Sequence, residues 1–476
     1  MLLLAGCANT QSPPDTTEKK PGWSVSGSEP GDATQSSELT DEELLEQDQN
    51  QEQMEPEFDE EGNPIISGNA GGGSGGSGES GNAGGIHISE NLSLSERRDV
   101  VEAEMRHMMS VLWTPAKDVV YSISGSSGGL ESDLVNKPDY IVRLYAGRIY
   151  QGMPYAHGCS SSYSFLDQTI RTENGIPVLD LTTADLSGSS EGSYQRRARL
   201  SNNCADAVFW AWAKVASSIT FSQTVNMTQS YGCLKVGDYT YDNSTYKGTK
   251  TVDVIAANGQ DKMLECYALM QKGDAMVRWT GSAGHAIMVV DVEVVRDARG
   301  KVDPKESYAI ILDQGSDCEK AEKTIQHPTY GTVYICEELD KKKSFASLLK
   351  SGYLPVTCKE LVDESPLEEA KVTDSVANPS VDNMFSGEFR SNYRISSVTV
   401  TIKDKKGSAV QSATCYAKEI EMYSFQLTRL DDDVEQDVMK GSLDIGSLPA
   451  GEYTCTYTCQ VSTGQSFTVR QFTFTK

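Results

Sequence analysis

At 476 residues with a formal net charge of −26, the chain is long enough for two or three domains and too acidic to take nucleic acid as a partner. The acidity is uneven: between Ala8 and Ser89 seventeen Asp and Glu stand against two Lys, and the remainder is only mildly acidic.

The chain opens Met1-Leu2-Leu3-Leu4-Ala5-Gly6-Cys7, an apolar run ending in small residues and a cysteine, and this segment (1–7) resembles a bacterial lipobox. Such a signal is cut ahead of Cys7, whose lipid then anchors the protein to a membrane. The expected location is the extracellular face of a bacterial membrane or the cell wall. No later run is apolar for long enough to span a bilayer. Residues 8–89 are first rich in Pro, Ser, Gln and acidic residues and then in Gly, Ser and Asn. That composition cannot bury enough apolar surface to offset chain entropy, so it reads as a disordered, self-repelling linker.

The folded part begins near residue 90. Apolar residues at Val101, Met105, Met108, Met109 and Leu112 follow helical spacing, and Thr114-Pro115 ends the run. His107 lies on this amphipathic helix without a neighbouring ligand, which points to a packing or surface role. Gly152-Met153-Pro154-Tyr155 then reads as a turn near a cleft. In Asn202-Asn203-Cys204-Ala205, an Asn caps an Ala-rich helix expected from Ala205 to Ser217, which puts Cys204 at the helix N-terminus. The positive end of the helix dipole favours a thiolate there, and the unpaired N–H groups suit an oxyanion. Alone, the same cysteine reads first as a small buried hydrophobe.

Gly152-Met153-Pro154-Tyr155-Ala156-His157-Gly158 resembles the Gly-x-Pro-Tyr-x-x-Gly segment of NlpC-type cell-wall peptidases, which are papain-like cysteine enzymes. Asn203-Cys204-Ala205 is similar to their Asp/Asn-Cys-Ser/Ala nucleophile. The resemblance implies an α+β papain-like catalytic domain over 90–360, with an antiparallel sheet and N-terminal helices. It also implies that Tyr155 lies close to the thiol and orients it or the substrate, a packed turn tyrosine being the alternative.

Residues 220–258 are polar and read as loops and short strands. A short helix follows over Asp261 to Gln271, and Lys272-Gly273-Asp274 turns into a strand at Ala275 to Trp279. The run after Gly284-His285-Ala286 is nearly all apolar, so His285 stands at the start of a buried strand, held by the sheet with its ring free to reach a facing thiol. It is the leading candidate for general base, with His157 in reserve. The NlpC-type family carries its histidine in a similar Gly-His-Ala/Val. The strand Tyr308 to Leu312 ends in Asp313-Gln314; alternation puts these on opposite faces, so one of them orients the imidazole. Asp313 is the stronger partner, and Gln314 stays open.

Residues 361–391, rich in Asp, Glu, Ser, Asn and Pro, read as a linker. Alternating strands over 392–476 suggest an all-β immunoglobulin-like sandwich with a spacer or adhesion role. The acidic run Asp431 to Asp437 lacks the spacing of a calcium loop. Among eleven cysteines there is no Cys-x-x-Cys, and neither a metal nor a cofactor is implied. Cys455 and Cys459 share a strand face too far apart to bond each other, but either suits a bridge to Cys415 on an earlier strand. The chemistry expected is amide hydrolysis by Cys204 and His285. By resemblance the bonds lie in peptidoglycan stem peptides, cut by a monomer whose membrane contact is the lipid on Cys7. An inactive surface-binding lipoprotein, or an acyltransferase or thioesterase on the same scaffold, are the alternatives.

Overall fold

The computed structural model describes residues 91–123, 134–136, 138–156, 170–179, 202–217, 219, 232–241, 250–281, 283–315, 323–335, 338–416, 424–426 and 443–476. Cys7, the linker 8–89, His157 and the 431–437 run lie outside them. The described chain is mixed α+β, with several antiparallel sheets and few helices. None of its helices is long and apolar enough to cross a membrane.

Helix α1 (Leu94–Ser110) starts from a capping box: Ser93 Oγ accepts from the Glu96 N–H, and the Glu96 carboxylate accepts from the Ser93 N–H. It buries Val101, Met105, Met108 and Met109, as their spacing requires. The helix stops before Leu112 because Pro115 and Thr114 favour extended backbone, and Leu112 opens strand β1 (Leu112–Pro115) instead. Strands β2 (Val119–Ser122) and β3 (Ile141–Leu144) pair with each other, and β4 (Ile149–Gln151), β5 (Arg171–Glu173) and β6 (Ile176–Leu179) follow.

Helix α2 (Cys204–Trp212) is buried along its whole length. It is shorter than the expected run to Ser217, and the chain continues as a turn through Val215. After β7 (Cys233–Lys235) comes helix α3 (Thr251–Asn258), which the polar composition of 220–258 conceals; only Thr251, Val254 and Ile255 turn inward. Helix α4 (Gln260–Tyr267) leads to β8 (Ala275–Trp279), β9 (Gly284–Glu293) and β10 (Tyr308–Asp313). Then follow β11 (Thr324–His327), β12 (Gly331–Ile335), β13 (Glu338–Ser344), α5 (Phe345–Ser351) and β14 (Leu354–Cys358).

The described strands form a central six-stranded antiparallel sheet in the order β13-β10-β9-β8-β14-β7. A second sheet runs β11-β12-β4-β1-β6-β5 and includes two parallel pairs. Both faces of β9 are buried around Ala286 to Val289, and α1 and α2 pack against it.

The turn at Gly273 is locked by an ion pair. Arg98 on α1 donates to Asp274 at 2.9 Å and to the carbonyls of Lys272 and Leu361, with both charged groups buried. Asp274→Ala leaves the guanidinium buried without its counter-charge, and should cost about 3–5 kcal/mol of stability. A denaturant midpoint corresponding to under about 1 kcal/mol of loss would show that water reaches Arg98 freely.

Residues 361–391 are structured rather than a bare linker. Arg97 donates to the carbonyls of Glu360, Asp363 and Ser365, which fastens this stretch to α1. Strands β15 (Val372–Asp374) and β16 (Glu388–Ser391) pair, and with β19 (Ser424–Gln426) they form a three-stranded sheet. A second sheet has the order β18 (Ala409–Tyr416), β17 (Ile395–Asp404), β20 (Glu452–Val461), β21 (Ser466–Thr475). The two sheets meet where the Phe389 ring packs edge-on against Tyr457 and where Arg470 pairs with Asp374 at 2.7 Å. This module also braces α2: Ser462 Oγ donates to the Ala213 carbonyl at 2.5 Å, and the buried Arg394 guanidinium lies 4.2 Å above the Trp210 ring.

The register of the four-stranded sheet overturns the expected Cys415 bridge. Cys415 and Cys459 both stand opposite Val398, on either side of β17, and Cys455 stands opposite Ile402. Two strand spacings, about 9.5 Å, separate β18 from β20, beyond the reach of a disulfide. Cys455 and Cys459 are free and buried.

Candidate active site

Cys204 owes its position to the asparagines before it. Asn203 is extended and its Oδ1 accepts from the Ala205 and Asp206 N–H groups at 3.0 and 2.9 Å, so α2 starts at the thiol. This cap also consumes two of the first-turn donors that the sequence suggested for an oxyanion. Asn202 is fully buried and holds the preceding turn: its N–H donates to Pro154 O, its carbonyl accepts from Ala156, and Tyr155 bridges to it in parallel. The turn itself is pinned by Trp113 Nε1 donating to Gly152 O, by Met153 N–H donating to Met108 O and by the Tyr121 hydroxyl on Tyr155 O. Gly152 has φ 95, open to glycine and strained for other residues. The result is that the Tyr155 hydroxyl points at Cys204 Sγ, 4.0 Å away.

From the central sheet, His285 at the start of β9 faces α2 and lies close enough to Cys204 for each to shift the other's proton affinity. Its Nε2 is 2.6 Å from Asp313 Oδ1 at the end of β10. A carboxylate only accepts, so Nε2 carries a proton, and Nδ1 is the nitrogen left to exchange one with the thiol. Cys204, His285, Asp313 and Tyr155 thus converge, although they come from four separate parts of the chain.

Charge within the site is distributed by these contacts. Burial would push the Cys204 thiol up, but the His285 imidazolium, the Ala286 backbone N–H and the Tyr155 hydroxyl outweigh it and hold the thiol below its ordinary range. Burial also disfavours the imidazolium, yet Asp313 and Cys204 raise His285 to about 10. Asp313 is held well below the usual carboxylate range: His285, then Lys343 and Lys341 on β13, overcome its burial. These contacts therefore favour the thiolate–imidazolium form of the pair over the neutral one.

Gln314 does not join this group. It is fully buried one residue past Asp313, and neither amide atom has a hydrogen-bond partner among the described residues. Of the other histidines, His107 is half-buried on α1, and His327 is a structural residue whose Nδ1 accepts from the Thr329 and Tyr330 N–H groups.

Two neighbours of the site escape a reading by sequence. Arg278 stands directly opposite His285 in the β8–β9 register, and its guanidinium lies 5.4 Å from the Tyr353 ring centre. Tyr353 is buried, and burial together with the negative charges of Asp313 and Cys204 pushes its phenol up, so it stays neutral. Strand pairing alone reveals Arg278, and packing just ahead of β14 reveals Tyr353; neither sits in a motif.

No three His, Cys, Asp or Glu side chains converge as metal ligands among the described residues. No protein-family model matches the chain, and a search of the curated proteins finds no match.

Proposed function

We propose that the protein is a thiol hydrolase of papain-like, NlpC type that cleaves amide bonds, with peptidoglycan stem peptides as the substrate class. The observation that carries this reading is His285, bonded through Nε2 to Asp313 and set beside a thiol at a helix N-terminus. The thiolate attacks the amide carbonyl, and the Cys204 N–H helps hold the resulting oxyanion. His285 Nδ1 gives its proton to the leaving amine, which breaks the C–N bond and leaves a thioester on Cys204. The now neutral Nδ1 takes a proton from water, whose oxygen attacks the thioester and releases the acid. Asp313 keeps the ring in the tautomer and orientation both steps need.

The Cys7 lipobox supports a lipid-anchored enzyme at the outer face of a bacterial membrane, where cell-wall peptides are. An immunoglobulin-like reading of the C-terminal module is supported by its two packed sheets and by Tyr453, whose hydroxyl donates to Pro449 O at 2.8 Å ahead of a late strand. Its contacts with α2 give it a bracing role beside that of a spacer.

The test is incubation of the protein with purified peptidoglycan and with synthetic stem peptides, following new amino groups and the masses of the products. New amines should appear with the untreated protein and disappear once its thiol is blocked. Amine release that persists after blocking, or no release from either substrate, would sink the thiol-hydrolase reading.

A further inference from the structure

Two buried thiols far from the catalytic dyad stand face to face. Cys233 on β7 and Cys358 on β14 are direct partners in an antiparallel ladder at the edge of the central sheet. The Lys359 N–H donates to Gly232 O at 2.8 Å, flanking the two cysteines rather than joining them, so they form a non-hydrogen-bonded pair. In such a pair the Cα atoms lie about 4.5 Å apart and both side chains project from the same face. That separation falls within the span a disulfide bridges.

Neither thiol is suited to anything else. Cys358 is fully buried and Cys233 nearly so. Burial, with the Glu360 carboxylate beside them, pushes both thiols up, so neither is a ready nucleophile or metal ligand. All six described buried cysteines, Cys233 and Cys358 among them, are free thiols in this structure, but only Cys233 and Cys358 stand opposite each other in a strand pair; among the described strand pairs Cys455, Cys459, Cys266 and Cys204 oppose no other cysteine.

We propose that Cys233 and Cys358 form a cross-strand disulfide in the exported protein. The oxidant is a disulfide, either of a thiol–disulfide oxidoreductase or of glutathione. One cysteine attacks it as a thiolate to give a mixed disulfide, and the other displaces the carrier. An S–S bond forms, the two thiols lose two protons and two electrons, and the oxidant leaves as two thiols. Because the folded pair is buried, the exchange occurs before the sheet closes, and the finished bond resists reduction. It closes a loop of about 125 residues that contains both His285 and Asp313. It also ties β7, which follows the catalytic helix in the chain, to β14, two strands from the one that carries His285. The bond depends on an oxidising compartment and not on the hydrolase reading.

The experiment refolds the full chain in glutathione buffer, alkylates free thiols in denaturant, and maps non-reduced peptides by mass spectrometry. The expected result is one linked peptide pair joining Cys233 to Cys358, lighter than its reduced components by two hydrogens. Reduction should then lower Tm by about 5 °C or more in the natural chain, with no shift in the Cys233→Ala/Cys358→Ala variant. Recovery of Cys233 and Cys358 as alkylated thiols, or of either linked to a different cysteine, would overturn the proposal. If the double variant does not fold, the peptide map of the natural chain decides alone.

Discussion

Asp313→Ala should lower kcat on an amide substrate by about 10²–10⁴-fold with little change in KM. The carboxylate touches no substrate atom in the proposed mechanism; it acts through His285 Nε2 at 2.6 Å, fixing the tautomer that leaves Nδ1 for the thiol. Without it the ring can rotate, and the imidazolium loses a favourable partner. Asp313→Asn keeps an acceptor for Nε2 and should recover a substantial part of the lost rate, which a general collapse of the site would not allow. The pH profile separates the two roles further. Asp313 and the Cys204 thiolate together raise His285 to about 10, so the basic limb of kcat/KM should move to lower pH in the alanine variant. A profile with an unmoved basic limb and a rate within about threefold of the natural chain would exclude Asp313 from the machinery.

The choice between Asp313 and Gln314 shows where the sequence stops informing. Alternation along β10 puts them on opposite faces, but the phase relative to His285 depends on the pairing with β9. That pairing slips by one residue: Ile310 pairs with Asp291 while the next residue, Ile311, pairs with Val289. A bulge leaves no local composition signal, so counting from either strand end gives no safe answer. Cys204 and His285 are legible for the opposite reason. Each lies where a polar cap or a glycine turn meets a long apolar run, and the run itself marks where the helix or strand begins. Arg278, Lys341 and Lys343 enter the site only through pairing between strands distant in sequence, and Tyr353 only through packing just ahead of β14. The segment 361–391 misleads in another way, because its two strands are three and four residues long and sit among Asp, Ser and Pro. What orders it is Arg97, reaching from the far end of the chain to three of its carbonyls or their neighbours.

His285→Ala should slow alkylation of Cys204 at pH 7 by at least about tenfold, the factor that one unit of thiol pKa carries. In the natural chain the imidazolium is the largest influence opposing burial, and it keeps the thiol below its ordinary range. Take it away, and burial acts against only the Ala286 N–H and the Tyr155 hydroxyl, so the thiol rises. The sign fixes the shape of the curve. A thiolate exists above its own lowered pKa, and the imidazolium persists below about 10, so the pair is intact between these limits. Labelling by iodoacetamide in the natural chain should therefore level off above the thiol's lowered pKa, earlier than for an ordinary cysteine, and fall on the acid side of it. In the variant the climb with pH should move to higher pH than in the natural chain. Cys204 is as buried as Cys233, Cys266, Cys358, Cys455 and Cys459, but burial raises those five thiols while the contacts of Cys204 lower it, so peptide mapping tells the fast-labelled Cys204 from them. Equal rates and equal pH profiles in the two proteins would mean that His285 does not charge the thiol. A helix N-terminus alone would then be setting the reactivity of Cys204.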